Sequence, residues 1–132
     1  MTRAAVARAL KATLRGEAIE SLDQCVEQNV RGLPGVTFLF EDKRLDRISV
    51  HSPSKIRTPR GIGVGATATQ IKRAYGPRLT AENHHYVGAP AEYLTYWTRP
   101  KQRGVRFETA TNRRAEIIHA GGQSITYIEG CA

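Results

Sequence analysis

Two short stretches of the chain carry apolar residues at steps of four. Val6, Leu10 and Leu14 form one series, and Ile71, Tyr75 and Leu79 the other. A step of four puts each series on one stripe of a helix, with Arg8 and Arg73 off the stripe. Thr2 and Thr67 stand where an N-cap belongs. Thr67 followed by Gln70 makes a capping box, whereas Ala5 cannot complete one after Thr2. Gly76-Pro77 stops the second helix. Elsewhere the period is two. GVTFLF at 35–40 and GVRFET at 104–109 alternate as half-buried strands do. Each reaches a polar turn, Glu41-Asp42-Lys43 in one case and Thr111-Asn112-Arg113 in the other. Each then resumes as a strand, at Ile48 and at Ile117. Residues 20–28, 84–88, 92–98 and 124–129 also read as extended. The segment 52–65 holds two prolines and three glycines and reads as a connection.

These elements recur. Thr2, Arg8, Ala9 and Leu14 return 65 positions later as Thr67, Arg73, Ala74 and Leu79. Val36 and Phe38 return 69 positions later as Val105 and Phe107. The longer second offset fits a longer loop near RPKQRG at 99–104. The expectation is therefore an α+β fold of two tandem helix-plus-antiparallel-strand units, forming a curved sheet with helices on one face. It makes residues 1–132 a single domain of two repeats: 1–53, a connection at 54–65, and 66–132.

The openings GATATQIKRAYG and MTRAAVARAL resemble the G-M-T-x-x-x-V helix start of tandem-repeat bacterial envelope proteins. Among these are the β-lactamase inhibitor protein and small outer-membrane assembly lipoproteins. The pattern GVTFLFEDKRLDRISV, TPRGIGVGAT, AYG and YIEGC resembles, further, small exported bacterial proteins of uncharacterised function that end in Glu-Gly-Cys. The resemblance implies an exported binding protein that grips a partner with an open sheet face. In such families a glycine precedes Met-Thr, and a start at Met1 then implies a removed leader. No target-binding residue carries over, because contact positions vary with the partner.

Composition narrows this only a little. The chain has 132 residues and a net charge of +8, which attracts polyanions and acidic proteins. No apolar run approaches the ~20 residues of a membrane span. Cys25 and Cys131 are too far apart in sequence for a clustered zinc site, and there is no C-x-x-C pair. One disulfide closing a long loop fits a periplasmic or secreted protein; two unrelated buried thiols would fit a cytoplasmic one.

No nucleophile elbow, phosphate-binding loop or zincin motif occurs. The glycines of GIGVGAT lack dinucleotide spacing and read as a bend that aims the helix, capped by Thr67. Glu92, Glu108, Glu116 and Glu129 are carboxylates that could act as acid and base, or simply pair with arginines. His84 and His85 point to opposite faces of an extended strand; the other two histidines, His51 and His119, end the matching strands, and His119 could approach one of the pair, so that three converging histidines would make a zinc site, whereas scattered ones are surface residues. Nothing in the sequence singles out a catalytic residue, a metal site or a cofactor. The partner-facing candidates are basic and aromatic: Lys55, Arg57 and Arg60 in the connection, then Tyr93, Trp97, Arg99, Lys101, Arg103, Arg113 and Arg114. If the two loops face the same way, they form one electropositive rim with aromatic anchors. Alternation places Tyr93 and Trp97 on one side of their strand and Leu94 and Tyr96 on the other. The function expected is a non-enzymatic, protein-binding module of the bacterial cell envelope, with inhibition of its partner as one outcome. The alternative is a basic nucleic-acid or polyanion binder.

Overall fold

The alternating runs fold into strands, and the strands assemble into one sheet. The computed structural model describes Thr2, Ala5, Val6, Arg8, and residues 14–15, 25–99 and 102–131. Leu14 and Arg99 are described in their backbone alone. Leu10, residues 20–24 and Lys101, all named above, lie outside the described residues. The strands are β1 (Leu14–Arg15), β2 (Cys25–Val30), β3 (Val36–Glu41), β4 (Arg44–His51), β5 (Thr80–Asn83), β6 (Glu92–Arg99), β7 (Arg103–Thr109) and β8 (Ala115–Gly121). Their order in the sheet is β1-β2-β3-β4-β8-β7-β6-β5, and every pairing is antiparallel.

This overturns the expected fold class. The β4–β8 ladder runs from Arg47 opposite Gly121 to His51 opposite Ile117 and closes the sheet across its middle. The strands therefore form one continuous sheet rather than two helix-plus-strand units. Strand dominates the described chain, and its one complete α-helix, α1 (Ala68–Tyr75), is short. Local patterning identifies strands, but which edges meet is decided by ladders between residues some 70 positions apart.

The helix has the expected ends. The Thr67 hydroxyl accepts from the Gln70 amide at 3.1 Å, and the Gln70 side chain accepts from the Thr67 amide at 2.9 Å. Gly76 caps the C-terminus at φ 74°, and a single 3₁₀ turn, Gly76–Arg78, follows. Near the start of the chain, the Thr2 hydroxyl accepts from the Ala5 amide at 3.1 Å, and Ala5, Val6 and Arg8 are helical.

Register sorts the side chains into rows. On the helix side, Val36, Val50, Ile118, Phe107 and Leu94 lie in line across five strands. Phe38, Ile48, Ala120, Val105 and Tyr96 form the next such row. Val6 packs with Val30, Val36, Phe38 and Phe40, while Ile71 and Tyr75 pack with Leu94, Phe107 and Ile118. Between these two rows, on the opposite face, runs a polar one: Asn29, Thr37, Ser49, His119, Arg106, Thr95 and Thr80.

That opposite face is partly covered by the C-terminal segment. The run at 124–129, expected to be extended, instead holds a 3₁₀ turn at Gln123–Thr126. Its Ser124 and Ile125 are fully buried. The cause is Asp46, an extra residue bulged out of β4 where the β3 register shifts. Asp46 accepts from the Ser124 amide at 2.9 Å and from the Ser124 hydroxyl, which pulls the segment onto the sheet. Gly121 permits this approach, since a Cβ there would sit 1.9 Å from the Asp46 carbonyl oxygen. Beyond the turn, the Tyr127 hydroxyl donates to Glu41 at 2.6 Å, and that bond raises its pKa to about 12. A disulfide between Cys131 and Cys25 then ties the segment to β2. Residues 84–88 are likewise not extended. They form a turn in which Nδ1 of His84 accepts from the Tyr86 and Val87 amides, each at 3.3 Å.

Candidate functional site

On the helix side, α1 and Val6 cover different parts of the sheet. The seam between β4 and β8 is left open near one end. Its floor is the apolar row Ile48, Ala120, Val105 and Tyr96, and its wall is the connection at 56–60. The result is a groove of about 560 Å³. Ile48 is 37% exposed and Ile56 is 48% exposed, unusual values for isoleucines so close to a core.

Arginines form the rim. Arg60 donates to the Ala74 carbonyl at 2.9 Å, near the negative end of α1, and to the Tyr96 hydroxyl at 3.2 Å. Its guanidinium lies 5.0 Å from the ring centroids of both Tyr75 and Tyr96. Arg57 donates to the Gly61 carbonyl at 3.2 Å, and Arg103 stands exposed on the opposite wall. The described lining of the groove thus holds three cations and no carboxylate. An apolar floor under such a rim suits a group that is apolar at its centre and acidic at its edge.

The partner-facing candidates separate into several places. Arg57, Arg60 and Arg103 converge on the groove. Arg113 and Arg114 line a second cleft, beside Thr67, Lys72 and Glu92 at the N-terminal end of α1. Arg114 donates there to the Gly65 carbonyl at 2.9 Å, and Lys72 pairs with Glu92 at 3.4 Å. Lys55 is exposed but lines neither cleft. Tyr93 is buried on the opposite face, stacked 4.6 Å from His84 and 4.9 Å beneath the Arg106 guanidinium. Trp97 shares that face and lies over Gly104, where a Cβ would meet its ring at 2.8 Å. Tyr96, Tyr75, Ile48 and Ile56 line the groove, and Tyr93 and Trp97 do not. Tyr96 carried a signal, since alternation left open which half of YLTYW would face the helix.

The opposite face holds a network that the sequence shows only as polar residues at inward positions. Glu108 accepts from Nε2 of His84 at 3.2 Å and pairs with Nε2 of His119 through its other oxygen. Nδ1 of His119 lies 2.6 Å from the Ser49 hydroxyl, across the β4–β8 ladder. Burial pushes Glu108 up, but the hydrogen bonds and charges of His119 and His84 outweigh it and hold the carboxyl below its ordinary value. Burial lowers His119, with the charges of Arg47 and Arg106 adding, and this exceeds the opposing pull of Glu108. Arg47 bonds Glu27 at 2.8 Å and the Ser124 carbonyl at 3.1 Å, and Arg106 bonds Glu82 at 3.1 Å. His51 and His85 stay apart from the network. Among the described residues, no group of three or more histidine, cysteine or acidic side chains is placed to hold a metal ion.

The chain matches no protein-family model, and no curated protein or solved structure is detectably similar to it. Among the described residues, no helix is long and apolar enough to cross a membrane.

Proposed function

We propose that the chain is a protein-binding module of the bacterial cell envelope that takes an acidic, apolar-centred segment of its partner into the groove beside α1. The observation that carries this reading is the groove itself: an apolar floor with three arginines and no carboxylate along its described lining. Two features make it a prepared surface. Arg60 is fixed by two hydrogen bonds and two rings, so little side-chain freedom is lost on binding. Tyr and Arg, its principal residues, are those that dominate binding energy at protein interfaces. The Cys25–Cys131 bridge supports an oxidising compartment, and with it a periplasmic or secreted setting. Blocking the partner's own surface is one action such a module would have.

The test is capture from a bacterial envelope extract at physiological salt, with wild type beside an Ile48→Asp, Arg57→Glu variant that ruins both floor and rim. The reading expects a discrete protein retained by wild type and lost from the variant. Equal retention by both would overturn it.

A polyanion binder is the second reading, favoured by the net charge of +8 and by the further cations Arg113, Arg114 and Lys72 around the second cleft. It expects retention on heparin that falls steeply with salt. Retention that is absent, or flat with salt, counts against it.

A further inference from the structure

The face opposite the groove holds a third cleft, of about 360 Å³, whose lining includes Ser49, His119, Arg47, Asn29 and Thr37. It opens past the exposed Glu27 and Asn29, and its described lining residues are all polar in type. We propose that Ser49, His119 and Glu108 form a nucleophilic triad in this cleft and that the chain hydrolyses small acyl esters of hydroxylated alcohols there. The inference does not rest on the groove, which lies across the sheet.

The geometry sets out the roles. Glu108 is an acceptor on both oxygens, one taken by His84 and one by His119. An ionised Glu108 keeps the His119 proton on Nε2, which leaves Nδ1 as the acceptor for the Ser49 hydroxyl at 2.6 Å. Serine, base and orienting carboxylate therefore stand in hydrogen-bonding sequence, the arrangement by which a weak hydroxyl becomes a nucleophile. The ring nitrogens are used in the reverse sense from the best-known serine hydrolases, but the roles are the same. Burial favours neutral His119, the form that can take a proton.

Arg47 supplies the fourth part. It is 4% exposed, sits two residues before Ser49 on the same face of β4, and lines the same cleft. Its terminal nitrogens are occupied by Glu27 and by the Ser124 and Tyr127 carbonyls, while Nε is buried with no hydrogen-bond partner among the described residues. A buried donor without an acceptor is costly to keep unless something fills the place. An oxyanion beside Ser49 would fill it.

In the first step the Ser49 oxygen attacks the ester carbonyl carbon, and its proton passes to Nδ1 of His119. The bond to the alcohol oxygen then breaks, and the alcohol leaves with that proton, so that the acyl group remains on Ser49. Water attacks the acyl-serine, again giving its proton to His119; the carboxylic acid leaves and Ser49 recovers its hydrogen. Atoms balance with water as the only co-reactant. The substrate class follows from the lining: amide and hydroxyl groups read hydroxyls, and among the described lining residues no apolar side chain awaits a long acyl chain.

The experiment treats the folded wild-type protein with a fluorophosphonate and maps the adduct by peptide mass spectrometry. In parallel it measures hydrolysis of p-nitrophenyl acetate, p-nitrophenyl octanoate and an acetylated monosaccharide by wild type, Ser49→Ala and Glu108→Gln. The proposal expects an adduct on Ser49 and cleavage of both acetates. It expects loss of turnover in Ser49→Ala, and a roughly 10²- to 10⁴-fold fall in Glu108→Gln. An unlabelled Ser49 in the wild-type protein overturns the proposal without reliance on any variant. So does a Ser49→Ala protein that hydrolyses at the wild-type rate. Octanoate turned over faster than acetate overturns the substrate class.

Discussion

Arg60 lies over the ring of Tyr96, 5.0 Å from its centroid, and also donates to its hydroxyl at 3.2 Å. One residue of a proline- and glycine-rich connection is thereby pinned to the floor of the groove. Cation–π contacts at exposed sites contribute ~0.5–1 kcal/mol and a net hydrogen bond about as much. Arg60→Ala should therefore lower the stability to urea by about 1–2 kcal/mol. Arg60→Lys should recover only a minor part, because an ammonium cannot stack on Tyr75 and Tyr96 while reaching Ala74.

The disulfide closes a loop between residues 106 positions apart. In the chain-entropy model such a crosslink stabilises by about 4–5 kcal/mol. It also holds the C-terminal segment over Arg47 and Arg106, which donate to its carbonyls. Reduction, or a Cys25→Ser, Cys131→Ser variant, should lower the unfolding free energy extrapolated from urea titration by an amount of that order. It should also raise amide exchange at Ser124 and Ile125 before the strands β6–β8 respond.

Continuity of the sheet is testable on its own. Ile71 is 0% exposed, and Ile71→Ala should cost about 2–5 kcal/mol. Since the β4–β8 ladder links the two core clusters, amides of β3 should lose protection together with those of β7. Two separate unfolding transitions in denaturant would contradict a single cooperative sheet.

Much of this was legible in the residues. The helix at 68–75, its capping box and its glycine stop follow from Thr67, Gln70 and Gly76. The strands at 36–41, 92–99 and 103–109 follow from alternation. Three things were hidden, each for a physical reason. The β4–β8 ladder joins residues too far apart for any local pattern to announce it. Residues 84–88 turn because Nδ1 of His84 competes for their amides, and 124–129 leaves extended geometry because Asp46 bulges out to hold Ser124. The polar row is visible only as Ser49, Arg106 and His119 at inward positions of strands, a place where a lone polar residue says nothing of its partners. The rim was half legible. Arg57, Arg60 and Arg103 converge as two loops facing one another would require, while Tyr96 rather than Tyr93 or Trp97 lies beneath them.

Acid should weaken the fold in two stages. His119 is held below its ordinary value of 6.5, so the unfolded chain takes up its proton first. Stability is then full above about pH 6.5 and falls as the pH drops toward the lowered folded value. Glu108, held below 4.5, adds a second loss as the pH falls further. Urea midpoints between pH 8 and 3 should trace both stages. His119→Asn should remove the first, while a curve unchanged in that variant would show that the loss near pH 6 arises elsewhere.

The central claim is that the open seam between β4 and β8 is where a partner docks. Its most direct test replaces Ile56, on the groove wall, with a photo-crosslinking residue, and replaces exposed Glu116, at the far end of β8, as a control. The account predicts an adduct with a partner from position 56 and none from position 116, with acidic residues flanking the crosslinked site on the partner. Adducts of equal yield from both positions, or none from position 56, would contradict it.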